Sequence, residues 1–76
     1  LLAPDQALFD RLRALRAELA KQGGVPAYVV FHDVTLSAIA ALKPLDRAQL
    51  ATVPGVGEKK LERYGERVLA VVRAIS

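Results

Sequence analysis

With 76 residues and no cysteine, the chain has room for one small domain that neither a disulfide nor a thiolate metal site can stabilise. Its 53% hydrophobic and 25% charged residues exclude a disordered composition, no apolar run is long enough to span a membrane, and residues 1–4 are too short for a signal peptide. A net charge of +3 and a pI near 9.7 favour a polyanionic partner. We therefore expect a single domain over residues 1–76.

The first predicted element is an amphipathic helix over residues 5–22. Its leucines recur at helical spacing, Asp5 or Pro4 opens it, and the pair Gly23-Gly24 closes it. The basic residues of this segment lie off the leucine stripe, where a solvated helix face is the commonest interpretation: Arg11, Arg13, Arg16 and Lys21.

The next segment, residues 25–32, is a short apolar run that resembles a strand. No second β-like run is available to pair with it, so we predict a helical turn or an irregular connector. It should insert Val29 or Val30, together with Phe31, into the core. Tyr28 has two alternatives: a core position, or an exposed position from which its ring stacks on a nucleic-acid base.

Two shorter helices follow. Asp33 and Thr35 offer N-cap side chains for a helix that ends at Leu42, before Lys43-Pro44. Asp46 caps another short helix, and Gln49 stands at the spacing of a capping box. The predicted buried side of this helix consists of Leu45, Leu50 and Val53.

The last helix is predicted over residues 58–75. One side of it is apolar, with Leu61, Tyr64, Val68, Val71, Val72 and Ile75. A basic row on the other side consists of Lys59, Arg63 and Arg67, with Lys60 at its border. Neighbouring glutamates should use part of that charge in intrahelical ion pairs. Gly65 costs on the order of 1 kcal/mol relative to alanine, which indicates a close approach by a neighbouring helix.

The turn before this helix contains Gly55 and Gly57 after Pro54. Glycines permit a tight turn, and the first N–H groups of the following helix, beside Lys59 and Lys60, are suited to binding a phosphate. A plain structural corner is the alternative. The whole pattern predicts an all-α bundle of four or five helices without a sheet.

The sequence offers little that could form an active site. It has a single histidine, His32, and two serines, none of them in a pattern that activates a nucleophile. His32 beside Asp33 is more typical of a structural role than of a base or metal ligand. We expect no catalytic residue and no metal site, and a binding module is the favoured class.

Two resemblances add to this. The segment Pro54-Gly55-Val56-Gly57 resembles the hairpin of a helix-hairpin-helix motif, which contacts DNA phosphates. The order of several segments along nearly the whole chain resembles the HRDC domain (helicase and RNase D C-terminal), and most of all the version in bacterial RecQ DNA helicases. Those segments include residues 25–31, with the wording Pro-x-Tyr-Val-Val-Phe, then 33–36, 43–44 and 56–65.

The HRDC resemblance implies a compact five-helix bundle, with a helix-hairpin-helix-like turn before the last helix. It implies an accessory, non-catalytic role: weak, sequence-nonspecific binding of single-stranded or branched DNA that targets a helicase core. By this resemblance Tyr28 is an exposed stacking residue, and the turn at Gly55 and Gly57 is mainly structural. The proposed DNA-binding residues are Tyr28, Arg13, Arg16 and Lys21, with Lys59, Lys60 and Arg63 as a second row.

The resemblance also implies the setting of the domain. We expect no cofactor here, with ATP and Mg confined to the helicase core of a parent chain that acts in DNA repair and recombination. The expected location is the bacterial cytoplasm at the nucleoid, and the expected state is a monomer. Two alternatives remain: a docking module for the helicase core or another protein, and a helix-hairpin-helix binder of duplex or junction DNA.

Overall fold

Five helices and no strand are found in residues 5–75, which is the part of the chain that the computed structural model describes. The helices are α1 (Gln6–Gly23), α2 (Ala27–Val30), α3 (Asp33–Leu42), α4 (Arg47–Ala51) and α5 (Glu58–Ile75). The predicted all-α fold is thus confirmed. The interpretations of residues 1–4 fall outside the described residues.

The ends of α1 are fixed by the residues that the sequence indicated. The Asp5 carboxylate accepts a hydrogen bond from the Leu8 N–H at 3.0 Å, and Gly24 ends the helix in the left-handed conformation with φ 65°. The hydrogen bond from Leu8, together with Lys43, whose Nζ lies 3.3 Å from the second carboxylate oxygen, lowers the pKa of Asp5. This contact ties the start of α1 to the end of α3.

The segment after α1 confirms the predicted helical turn. Val30 and Phe31 are buried, whereas Val29 is 44% exposed, so Val30 is the valine that enters the core. The single turn of α2 exposes its first three residues and buries only the last, Val30.

Two details of the next helices differ from prediction. The N-cap of α3 is His32, whose side chain makes no capping hydrogen bond, while Asp33 lies inside the first turn. Asp46 does cap α4, through the Gln49 N–H at 2.8 Å, and Gln49 in turn accepts from the Leu45 N–H. The predicted burial of Leu45 is wrong, because this residue is 48% exposed.

The buried face of α5 differs from the predicted apolar stripe because it includes Leu69 and leaves several predicted residues only partly buried. Val68, Leu69, Val72 and Gly65 are buried. The sequence pattern missed Leu69, while the outer members of the predicted stripe pack only partly buried against the core: Leu61, Tyr64, Val71 and Ile75. A Cβ on Gly65 would lie 3.2 Å from the Leu61 Cδ1 of the same helix and 3.9 Å from Arg47 Nη1 of α4. The neighbouring helix thus contacts this position only through an arginine side chain at ordinary van der Waals distance, and the expected close approach by a neighbouring helix is not observed.

The ion pairs of α5 connect different helices. Arg67 lies 3.2 Å from Glu18 of α1, and Glu66 lies 3.6 Å from Arg47 of α4. No ion pair joins two residues of α5 within the described residues, so the prediction of intrahelical pairs is wrong. The glutamates of α5 therefore neutralise less of its basic row than their spacing indicated.

The core lies where α1 packs against α2, α3 and α5, and where α4 packs against α5. All five helices and the segments after α2 and α4 contribute buried apolar residues to it: Leu8, Leu12, Leu15, Leu19, Ala20, Val30, Phe31, Leu36, Ile39, Ala40, Leu50, Val53, Val56, Val68, Leu69 and Val72. Val56 brings the glycine turn into this core, and Gly55, with φ 91°, lies directly against Thr35 of α3.

The glycine turn yields a matched stability prediction. Gly55→Ala should destabilise the fold by roughly 2 to 4 kcal/mol, because its positive φ strains alanine and the new Cβ would collide with Thr35. Gly57→Ala is the control, since φ is not positive there and nothing lies within 4 Å. Urea unfolding of both variants measures the difference. Equal midpoints would contradict the packing of the turn against α3.

A second prediction concerns Asp5 and pH. Because its pKa is lowered by the Leu8 N–H and Lys43, the stabilisation it provides is complete above the ordinary value of 3.8 and is lost as pH falls through the folded-state pKa. Asp5→Ala should therefore lower the thermal midpoint at pH 7, and this deficit should shrink towards pH 2. Asp5→Asn, which keeps the capping oxygen, should lose less. A deficit independent of pH would contradict the role of the charge.

Candidate nucleic-acid interface

The arrangement of ion pairs shows which cations are available to a ligand. Four ion pairs use Arg16, Lys43, Arg47 and Arg67, and Arg73 donates to the Leu45 carbonyl. Within residues 5–75, no ion pair involves the remaining basic residues: Arg11, Arg13, Lys21, Lys59, Lys60 and Arg63. The basic residues of the predicted site, apart from Arg16, therefore have no ion-pair partner among the described residues, although Arg13 lies over the Phe9 ring and Lys60 over the Phe31 ring.

Arg16 has a different position from its helical neighbours. Its side chain is only 12% exposed, and Nη1 donates to the Phe31 carbonyl at 3.0 Å and lies 2.6 Å from the Asp33 carboxylate. The guanidinium thus holds the segment between α2 and α3 onto α1. A role for Arg16 in DNA binding stays a prediction, and its observed contacts are structural.

The sequence left open whether Tyr28 lies in the core or on the surface, and the structure places it on the surface. It is 61% exposed on α2, and its ring stacks on His32 with centroids 6.1 Å apart and planes 28° from parallel. An accessible phenol ring is able to stack on an unpaired base.

Two shallow grooves flank α2, one on each side. The first lies against α1, where Arg13 and Ala27 are among its lining residues. The second lies against α5 and is lined by Val29, Lys59, Lys60, Arg63 and Tyr64. The structure thus brings the two predicted rows of cations to opposite sides of the same short helix. Lys21 lines neither groove but continues the row of Arg13 along α1, eight residues further on.

Aromatic packing fixes α5 beside α2. The buried Phe31 makes an edge-to-face contact with Tyr64 at 5.7 Å between centroids, and Lys60 Nζ lies 5.6 Å above the Phe31 ring. The ring immediately after α2 therefore sets the position of the first turns of α5, which carry Lys59 and Arg63.

The glycine turn forms a third concave surface, lined by residues 55–60. The Gly57 carbonyl accepts from the Leu61 N–H at 2.9 Å, so α5 begins at a residue with no side chain to cap its open N–H groups. Glu58 in the first turn places a carboxylate at this positive end. That carboxylate competes with an external phosphate, and the role of Gly55 and Gly57 as phosphate ligands stays a prediction.

Two other kinds of site are absent from the described residues. Residues 5–75 contain no group of three or more histidine, cysteine, aspartate or glutamate side chains that could hold a metal ion. Among the described helices, none is long and apolar enough to cross a membrane.

Comparison with known proteins identifies the family. The sequence profile of the HRDC domain matches residues 5–72. The chain belongs to the HRDC family. Among curated relatives, the HRDC domain is 52% identical over 69 residues to the ATP-dependent DNA helicase UvrD2 of Mycobacterium tuberculosis, covering 91% of this chain and 10% of the relative. It is 38% identical over 73 residues to the ATP-dependent DNA helicase RecQ of Bacillus subtilis, covering 96% and 12%.

Solved structures confirm both the fold and the resemblance to RecQ HRDC domains. The HRDC domain 3 of RecQ from Deinococcus radiodurans superposes with a TM-score of 0.87 at 50% identity, covering 90% of each chain. The HRDC1 domain of RecQ from the same organism gives a TM-score of 0.62 at 51% identity, covering 90% and 91%. The two solved HRDC domains have about the same length as this chain. The chain spans only about a tenth of the length of the first curated relatives.

Two residues at this surface were missed from the sequence. Val29 lines the groove with the α5 cations, and His32 lies against the Tyr28 ring. For Val29 the available signal was the predicted helical turn itself, in which adjacent side chains point in different directions, so that two neighbouring valines do not share one face. For His32 the signal was its position four residues after Tyr28, although a helix connecting the two could not be assumed.

The exposure of Tyr28 predicts a contrast between the two tyrosines. Tyr28→Ala should change the free energy of unfolding by less than about 0.5 kcal/mol, as expected for a surface residue. Tyr64→Ala removes a half-buried ring from Phe31 and should cost about 2 kcal/mol. Chemical denaturation of the two variants makes the comparison. A comparable loss in Tyr28→Ala would place that ring in the core.

Proposed function

We propose that this HRDC domain is a non-catalytic accessory domain that binds single-stranded or branched DNA weakly and without sequence preference, and thereby helps to target a helicase core. The observation that supports this most is the position of the exposed Tyr28 between two grooves whose cations have no ion-pair partner in residues 5–75. No other part of the described surface combines an exposed aromatic ring with such cations on both sides.

In this proposal an unpaired base stacks on the Tyr28 ring while the backbone crosses α2. Lys59, Lys60 and Arg63 contact phosphates on the α5 side, and Arg13 and Lys21 contact them on the α1 side. Few phosphates are neutralised, so binding is weak and strongly dependent on salt. Stacking and phosphate contacts carry no base-edge readout, so the sequence preference is small. Arg16 contributes indirectly by holding the segment that follows Tyr28.

The proposal also concerns the longer chain to which this domain belongs. Because the domain spans about a tenth of the curated relatives, we propose that it belongs to a longer ATP-dependent DNA helicase, of the RecQ type, that acts in DNA repair and recombination. ATP and Mg would be bound by the helicase core, in the cytoplasm of a bacterium at the nucleoid, and the domain would act as a monomer. The UvrD2 relative of Mycobacterium tuberculosis is 52% identical, against 38% for the curated RecQ relative of Bacillus subtilis and 50% for the RecQ HRDC domain 3 of Deinococcus radiodurans. The sequence of the parent chain outside this domain would distinguish the two helicase classes.

A second candidate function is a docking module for the helicase core or for another protein. Three large apolar residues favour it, since they are exposed at the start and end of α3 and just beyond it: Val34, Leu42 and Leu45. Such a module would not bind a labelled oligonucleotide even at low salt, whereas the DNA-binding domain would.

The test is a titration of labelled single-stranded and forked DNA at low salt, followed by fluorescence anisotropy. Tyr28→Ala should weaken single-strand binding about tenfold, which is the size expected for one lost stacking contact. Arg63→Ala should weaken it several-fold and reduce the salt slope by about 1. Gly57→Ala, which meets no neighbour, should bind like the unmodified domain unless the turn is a phosphate site.

Arg11→Ala is the matched control for Arg63→Ala. It removes the same charge from a cation that is also without an ion-pair partner in the described chain, but Arg11 lines the distant groove between α1 and α5. Its affinity should remain close to that of the unmodified domain. Equal losses from Arg11→Ala and Arg63→Ala would show that net charge alone drives binding, and the proposed surface would then be wrong.

A further inference from the structure

The side chain of His32 stands at a helix N-cap but does not cap the helix. It is the N-cap of α3, where a side-chain oxygen normally accepts a hydrogen bond from the first turn, yet it makes no such bond. Its side chain is exposed, and no hydrogen bond or ion pair involves it within residues 5–75. Its one described ring contact is the stacked Tyr28.

We propose that His32 is a second DNA-binding residue that forms a two-ring platform with Tyr28, and that its imidazolium contacts the phosphate beside the base stacked there. This inference rests on the proposed function, because it names a further ligand of the same surface. It also gives the surface a dependence on pH that the lysines and arginines cannot provide.

The geometry of the two rings supports a shared platform. At 6.1 Å between centroids and 28° between planes, the rings are stacked with an offset, within the range of favourable aromatic pairs. The contact restricts the orientation of the exposed Tyr28 ring before any base arrives. A preorganised side chain loses less conformational entropy on binding than a free one.

The acidic group beside His32 is paired with an arginine, so a positive charge on the His32 ring would change the net charge of this part of the surface. Asp33, the next residue, is paired with Arg16 of α1, so these two charges largely offset each other. On α2 the facing group is the Tyr28 phenol, and from α5 Lys60 lies over the ring of Phe31, the residue before His32. A protonated imidazole has two N–H donors, and it would add one positive charge beside the stacked base.

The sign of the effect follows from the charge. Histidine is the type of side chain whose ordinary pKa allows a change of charge between about pH 5 and 8, a property that lysine and arginine do not share. His32 is the single histidine of the chain. The affinity for single-stranded DNA should therefore rise over this interval by about two- to fivefold, the size expected for one exposed ionic contact.

The experiment measures binding of labelled oligothymidine at pH 7.5 and 5.5 to the chain described here and to two variants. Oligothymidine is the probe because thymine does not titrate in this interval. His32→Phe keeps a ring against Tyr28 but cannot gain a proton, so its affinity should not rise between pH 7.5 and pH 5.5. His32→Asn keeps an N-cap side chain, loses the ring, and should bind about two- to fivefold more weakly at pH 7.5, also without the gain.

Circular dichroism at both pH values checks that the variants are folded. Unchanged affinity of the unmodified chain between the two pH values, or an equal gain in His32→Asn, would overturn the role of His32. That result is separate from a failure of the proposed function, in which Tyr28→Ala and Arg63→Ala would bind as well as the unmodified chain. Weakened binding in those two variants together with a flat pH profile would overturn only the inference about His32.

Discussion

The contact on which this surface depends is made by Arg16. Its guanidinium reaches the Phe31 carbonyl and the Asp33 carboxylate at once, so it fixes both the end of α2 and the start of α3 to α1. With this connection in place, α2 needs only four residues to present Tyr28 outward and Val30 inward. A helix of four residues has little stability of its own. The contacts of Arg16 and the buried Phe31 ring supply the stabilisation that it lacks.

The same contact distinguishes Arg16 from the other basic residues of α1. Arg16 is nearly buried, while Arg13 and Lys21 on the same helix remain exposed. Elsewhere, ion pairs between helices occupy several cations, as with Arg67 and Glu18, which are 49 positions apart in the chain, while Arg11 has no such partner among the described residues. Most of the cations without an ion-pair partner therefore lie on α1 and at the start of α5, although the net charge of the whole chain is small.

Local signals in the sequence were enough to predict most of the fold. Asp5, Gly24 and Asp46 end or begin helices by interactions that span only a few residues, and these were confirmed. Contacts between distant segments were not predictable in this way. Helical periodicity shows that Arg16 lies off the leucine stripe, but it cannot show that the Phe31 carbonyl arrives there. The site was predictable as a set of residues, and its arrangement around α2 required the three-dimensional structure.

The change from exposed to buried side chains within the single turn of α2 has a consequence for substitutions there. Tyr28 and Val30 are two residues apart, yet one is mostly exposed and the other is fully buried. Substitutions at the first position leave the core beside it intact, so the proposed ligand contact at Tyr28 can be altered without a change of scaffold.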